Sequence, residues 1–331
     1  MNRRLMAVLA IGALIAAGAA ATADAASAAT PQRLLHRYQP VTQLDPLEQF
    51  VPATVLGFVG DSVLETRPPG GTWSVADPNP TIATLPRAPA IAYRLNQATC
   101  SPEGGVSAIP CYSAAEQASG VTPAVYGRIA YRPHRLVLQY WYFYYDDVYS
   151  YDYPPDDLFW QAHEGDWESV NVVLDRATRR PLFAGYSQHC MGERRPWSQV
   201  ERVGRHPVDH VAIGSHANLL DSGDQAVPVA CIPPAALQIL QASGLPAPVD
   251  RSGAGPSYGP GTVSGLIPQV LLPIGRRVTP WAAFSGTWGE DQVFHAPAPI
   301  GTVTLGTSPV SPARTTLWKS PMRVMRSWPI G

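Results

Sequence analysis

The sequence predicts a mainly β protein: an antiparallel β-sandwich with a few short helices and long Pro/Gly-rich loops. Three observations carry this. Pro (35) and Gly (28) are abundant while charged residues make up only 15% of the 331-residue chain, a composition of short strands and many turns rather than of a helical bundle. The run Leu136-Val-Leu-Gln-Tyr-Trp-Tyr-Phe-Tyr-Tyr145 is apolar or aromatic on both alternating faces, the pattern of a central strand covered on both sides. The run Ser169-Val-Asn-Val-Val-Leu174, rich in valine and followed by turn residues, is a second strand.

At the N-terminus, Arg3 and Arg4 precede an apolar run from Leu5 to Ala21, and small residues continue to Ala29. This is the pattern of a secretory signal peptide, residues 1–28, cleaved after Ala25 or Ala28. The remainder, 29–331, is then a secreted, extracellular single domain with irregular N- and C-terminal extensions. The Arg pair leaves the general and the twin-arginine export routes both open. No later stretch is long and apolar enough to span a membrane. A formal charge of -1 with no Lys/Arg block argues against nucleic acid as a partner, and no G-x-x-x-x-G-K phosphate loop is present. Four cysteines in an exported chain predict two disulfides. Three pairings are open to them. The expected one joins Cys100 to Cys111 across a short loop and Cys190 to Cys231 across to a Pro-rich segment.

Pro31 to Asp45 reads as irregular chain. A short helix is expected from Ala53 to Glu65, after Pro52. Arg67 to Pro89 is a Pro-rich loop. Ser113-Ala-Ala-Glu116 has capping-box spacing for a brief helix that stops at Gly120. The aromatic strand spans Arg135 to Asp147. The loop after it, to Ala162, mixes Tyr149, Tyr151, Tyr153 and Trp160 with Asp156 and Asp157. Such a loop either contacts a sugar or headgroup or folds its aromatics onto the sandwich. Beyond the turn Asp175–Pro181, Leu182 to Gln188 returns as a hairpin strand. Further strands are expected at Pro207–Ile213 and Trp281–Glu290. A helix is expected at Ala235–Ala242, entered through Pro233-Pro234 and stopped by Gly244. Arg251 to Gly265 is a Gly/Pro loop. The tail from Gly306 to Pro329 packs Trp318 and Trp328 onto the body.

The candidate site is His163-Glu-Gly-Asp-Trp-Glu168. Strand alternation puts Asp166 and Glu168 on the face of Val170, Val172 and Leu174. Two carboxylates in a core-facing row are unfavourable unless a positive charge lies between them. His163 sits just upstream, across Gly165, where the chain can bend. Pairing Leu174 near Pro181 puts Asp166 opposite His189. A His and two carboxylates, with a second His at the edge, form a candidate divalent-cation site. His216, just past the Pro207–Ile213 strand, is a further candidate, with a structural His bonded to a loop carbonyl as the alternative. A solvated strand end is the plain alternative for the motif as a whole. The zinc-protease pattern H-E-x-x-H is excluded, because Trp167 occupies its fifth position.

Tyr140-Trp-Tyr-Phe-Tyr-Tyr-Asp146, His163-Glu-Gly-Asp-Trp-Glu168, Ser187-Gln-His189 and His206-Pro-Val-Asp-His-Val-Ala-Ile-Gly-Ser-His216-Ala-Asn218 occur in this order. Together they resemble the vacuolar protein sorting-associated protein 62 family and its bacterial secreted relatives. More distantly they resemble the necrosis- and ethylene-inducing-like cytolysins, whose signature is G-H-R-H-D-W-E. The resemblance implies a cytolysin-like sandwich and a divalent ion held by Asp146, His163, Asp166 and Glu168, with His189 nearby. Glu164 and Gly165 stand where the signature has Arg and His. The segment between Asp146 and His163 is longer than in the cytolysins, which leaves Asp147 as the alternative to Asp146.

Three functions follow as expectations. The first is a secreted protein that uses Ca²⁺ or Mg²⁺, as favoured by mostly oxygen ligands, to bind a glycan or lipid headgroup and to act at membranes. The second is a metal-dependent hydrolase of phosphodiesterase or esterase type, with Glu168 or His189 as general base. The third is a structural secreted module with the ion as a staple. No G-x-S-x-G elbow is present to support a serine hydrolase.

Overall fold

The computed structural model describes residues 30–331 apart from 89–90, 151–159, 245, 247 and 296–300. The expected signal peptide and the tip of the aromatic loop, with Tyr151, Tyr153, Asp156 and Asp157, lie outside the described residues. In chain order the elements that frame the site are α1 (Pro31–Arg37), β1 (Val41–Leu44), α2 (Val55–Asp61), α3 (Ile109–Ala118), β2 (Ala124–Tyr131), β3 (Arg135–Ser150) and β4 (Trp160–Asp175). These are followed by β5 (Pro181–Gln188), β6 (Met191–Pro196), β7 (His206–Val211), β8 (Gly223–Ala226), α4 (Pro234–Ser243) and β9 (Val249–Ser252).

The protein is mainly β, with several antiparallel pairings and short helices, as the composition predicts. β2 to β6 pair consecutively and antiparallel, and Val270–Pro273 adds in parallel beside β2. A second sheet is centred on β7 and β1, which run parallel, with short strands at its margins. β8 and β9 form a separate two-stranded ribbon.

The aromatic strand β3 is covered on both faces, which is why its sequence carries no polar alternation. On one face, Tyr140 donates its hydroxyl to the Leu35 carbonyl of α1 (2.8 Å). Tyr186 of β5 reaches across in the same way to the Val208 carbonyl of β7 (2.8 Å). On the other face, Phe143 packs edge-on against Phe58 of α2 and against Trp288, with centroids 5.0 and 5.2 Å apart. Trp167, Trp281 and Trp288 continue that cluster. Both expected disulfides are formed, Cys100–Cys111 and Cys190–Cys231. Trp318 and Trp328 are buried as expected, each 6% exposed.

Several element assignments differ from the sequence reading. Pro31–Arg37 is helical, capped by the Thr30 hydroxyl, and β1 follows it. α2 is shorter than the expected helix, because the chain turns at Ser62 into the strand Val63–Arg67. Ser113 is not a cap: α3 begins at Ile109, entered through Pro110, whose missing N–H is no loss in a first turn. Trp281–Glu290 is not a strand but a 3₁₀ turn, Pro280–Ala283, followed by irregular chain whose aromatics fill the core. The supposed Gly/Pro loop after Asp250 contributes to β9 and to the short strand Ser257–Gly259.

Glu116 of α3 shows how burial acts on one acid. It is 2% exposed, and burial pushes its carboxyl up to about 8, against the Val51 amide that it accepts. The folded state therefore keeps a proton that the unfolded chain releases above its ordinary 4.5, so this residue lowers stability as pH rises from there to about 8. Glu116→Gln is expected to stabilise the protein at pH 8 by on the order of 3 kcal/mol and to change little at pH 4. Urea denaturation at both values checks this, and an unchanged pH dependence would contradict it.

Gly165 fixes the geometry of the site. β3 and β4 keep one register along their length, with Tyr144 opposite Asp166 and Asp146 opposite Glu164. Between these pairs Tyr145 and Gly165 are unpaired, and Gly165 has φ +59°. Both strands step there, and side-chain alternation resumes out of phase. A Cβ at Gly165 would lie 2.1 Å from the Trp288 carbonyl oxygen. The left-handed backbone alone costs a residue with a side chain about 1–2 kcal/mol. Gly165→Ala is thus expected to lower the melting temperature by at least roughly 4 °C, and a shift below 1 °C in calorimetry would contradict it.

Candidate metal centre

β3 and β4 meet the end of β5, the loop after β7 and the segment after β8 around a cavity of about 340 Å³. Asp147, His163, Asp166, Glu168 and His189 all line it. Asp147 and His163 are cross-strand neighbours and so share a face. The step at Gly165 brings Asp166 and Glu168 to that same face. One ligand atom from each of Asp147, His163 and Asp166 lies within 4.8 Å of the others, and this buried group could hold a metal ion.

The orientation of His163 fits a cation. Its Nδ1 lies 2.9 Å from the Gly165 carbonyl oxygen. A carbonyl only accepts, so Nδ1 carries a proton, and Nε2 is the nitrogen turned toward Asp147, 3.6 Å from Oδ2. A ring nitrogen this close to a carboxylate, in side chains only 12% and 9% exposed, calls for a positive charge at the contact, which a bound cation or a proton on Nε2 supplies. A ring N–H on a backbone carbonyl is also how metal-ligating histidines are commonly aligned.

Behind the cluster, Asp166 Oδ2 accepts from Nδ1 of His216 at 3.3 Å. The other ring nitrogen faces Glu48 Oε1 at 3.7 Å, and the ring stacks flat on Tyr144 with centroids 3.9 Å apart. His216 is fully buried. Burial alone would depress its pKa, but the Glu48 and Asp166 carboxylates outweigh this and hold it well above the usual imidazole range. Glu48 is held below the ordinary glutamate range, because His216 and the Gly214 and Phe50 amides outweigh the effect of burial. Burial pushes Asp147 up to about 6 despite the opposing influence of His163. Burial and then Asp166 raise Glu168 well above its usual range, and the Ser187 hydroxyl donates to its carboxylate.

His189 comes from the turn after β5 with φ +46°. A register shift between Val173 and Leu174 moves the hairpin by one residue from the expected pairing. Continuing the observed ladder puts Cys190, rather than His189, level with Asp166. The imidazole still lines the cavity, and its Nε2 is bound to Asp250 at 2.8 and 3.1 Å. Burial would lower this histidine, but Asp250 together with Asp147 and Asp166 outweighs burial and the net shift is upward.

Asp146 is not part of the cluster. It pairs with Glu164, whose carboxylate turns to the opposite side to accept from the Tyr112 hydroxyl (3.0 Å), the Gln97 amide (3.2 Å) and the Glu290 amide (2.9 Å). Asp146 is fully buried, and its carboxyl is raised well above the usual range by burial and then by Asp147 and Glu164. The step at Gly165 is the physical reason that Asp147 takes the place expected of Asp146. Glu168 and His189 border the cavity without belonging to the three-atom cluster, and His216 stands behind it as a partner of Asp166.

Sequence reasoning missed Glu48, Asp250, Ser187 and Ser215. Glu48 and Asp250 lie far along the chain in stretches with no periodicity, and only the topology brings them in. Ser187 was available from the hairpin, where it sits one ladder position from Glu168. No family model, curated protein or solved structure matches the chain.

Proposed function

We propose that the protein is a secreted divalent-cation-binding protein whose ion presents open coordination positions to the hydroxyl groups of a neutral glycan. The observation that supports this most is the convergence of Asp147, His163 and Asp166 on the wall of an open cavity, with His163 Nε2 turned toward Asp147. Three protein ligands leave positions for an outside oxygen. The oxygen majority favours Mg²⁺ or Ca²⁺. Among the described residues no Lys or Arg lines the cavity, so its charge is acidic apart from imidazoles. An anionic headgroup finds no cation there beyond the bound ion, whereas a polyhydroxyl ligand needs none. The two disulfides fit export to an oxidising compartment. Among the described residues no helix is long and apolar enough to cross a membrane. The resemblance to the vacuolar protein sorting-associated protein 62 family and to the cytolysins agrees with an ion-dependent binding role.

A panel of neutral glycans and anionic lipid vesicles, assayed with Mg²⁺, with Ca²⁺ and with chelator, tests this reading. Chelator-sensitive binding to neutral glycans is expected. Binding confined to anionic vesicles, or insensitive to chelator, would contradict it.

A further inference from the structure

We infer that the cavity hydrolyses a carboxylic ester of its polyhydroxyl ligand, with His189 as the catalytic base and Asp250 as a positioning residue. This rests on the reading of the cavity as a cation-dependent site for a neutral glycan.

His189 and Asp250 come from different parts of the fold. Asp250 belongs to β9 and is 2% exposed. One of its oxygens accepts the Ser215 hydroxyl at 2.7 Å, and both lie within hydrogen-bond range of His189 Nε2. A carboxylate only accepts here, so Nε2 carries the proton and Nδ1 is the basic nitrogen. Among the described residues Nδ1 has no hydrogen-bond partner, while the residue itself lines the cavity opened by the ion cluster. The edge of Tyr149 packs against the ring, with centroids 5.7 Å apart. A buried carboxylate that fixes the tautomer, orients the ring and stabilises its protonated form is the arrangement that general-base catalysis requires.

The attacking group is a water. Ser215 donates its hydroxyl to Asp250 and Ser187 donates to Glu168, so neither faces a substrate free of other bonds. Cys190 and Cys231, on the cavity wall, are joined as a disulfide. His189 Nδ1 takes a proton as the water oxygen bonds to the ester carbonyl carbon. The bond from that carbon to the alcohol oxygen then breaks, and the imidazolium returns the proton to the departing alkoxide. The products are a carboxylic acid and an alcohol, and no other reactant is consumed. A bound cation would supply polarisation of the carbonyl oxygen. Val227, Ile232 and Leu305 give the cavity an apolar side that accepts the acyl group. Among the described residues no Lys or Arg lines the cavity, which favours a neutral ester over a phosphate ester.

The test uses peracetylated glucose as probe, with the full mature protein loaded with Mg²⁺ or Mn²⁺ in ¹⁸O-water. Proton NMR follows acetate release, and calorimetry measures ion affinity in parallel. The wild type is expected to release acetate carrying ¹⁸O. His189→Gln is expected to reduce kcat at least ~100-fold, and Asp250→Asn at least ~10-fold, with ion affinity unchanged in both. Folding of each variant is checked by near-ultraviolet circular dichroism, and either variant alone suffices for the comparison. A wild type that binds the ion and releases no acetate would overturn the inference and leave the proposed binding function intact. Equal release by wild type and a folded variant would also overturn it. A wild type that binds no ion would overturn both.

Discussion

Asp166→Asn is expected to abolish divalent-ion binding. Asp166 supplies one of only two carboxylates in the three-atom cluster, and its ligand atom lies within 4.8 Å of those of Asp147 and His163. Removing its charge leaves Asp147 and a neutral imidazole, too few ligands for a hard cation. The same change takes one partner from His216, which holds its other carboxylate at 3.7 Å. Two effects therefore separate. In chelator the variant is expected to be less stable than wild type, because a buried imidazole has lost an ion-pair partner. With the ion present at about 100 times its dissociation constant, the wild type gains about 2.7 kcal/mol, whereas the variant gains nothing. Thermal melts with and without the ion read both effects. An equal ion-dependent gain in wild type and variant would contradict the site.

Glu48→Ala is expected to cost about 3–5 kcal/mol, the usual penalty for breaking a buried ion pair on one side. Glu48 also accepts the Gly214 amide at 2.7 Å and the Phe50 amide at 2.8 Å, so the variant strands donors as well as a charge. The pH dependence follows from the two shifts. Glu48 lies below its ordinary range, so its contribution is present above about 4.5 and is lost as pH falls through the depressed value. His216 lies above its ordinary range, so its contribution is complete below about 6.5 and is lost as pH rises through the folded value. The pair thus stabilises most between these limits. The cost of Glu48→Ala is expected to be largest near pH 6 and smaller at pH 9. A loss below about 1 kcal/mol at pH 6 would contradict the pairing.

The parts of this protein that alternate or punctuate strongly were legible in its sequence. The aromatic run ending at Tyr145 gave a central strand because both faces were apolar, and both faces are covered. The hairpin through Asp175–Pro181 and the helix stopped by Gly244 followed from turn chemistry; Gly244 is left-handed, with φ +65°. At the site, His163 and Asp166 were legible as partners, but Asp146 and Asp147 could not be ordered. That choice depends on the step at Gly165, and the step depends on Trp288 packing against it from a distant stretch. Strand alternation alone has no term for such a break. The carboxylates behind the histidines, Glu48 and Asp250, were illegible for a related reason. Each sits in a short irregular or two-sided segment where neighbouring residues carry no information about what lies across the fold.

Asp147, His163 and Asp166 are expected to bind one divalent ion. Crystals of the protein grown with Mn²⁺ and measured for anomalous scattering decide whether they do. One strong anomalous peak is expected at bonding distance from a carboxylate oxygen of Asp147, Nε2 of His163 and a carboxylate oxygen of Asp166. An empty cavity at saturating Mn²⁺, or a peak held instead by Asp146 and Glu164, would contradict it.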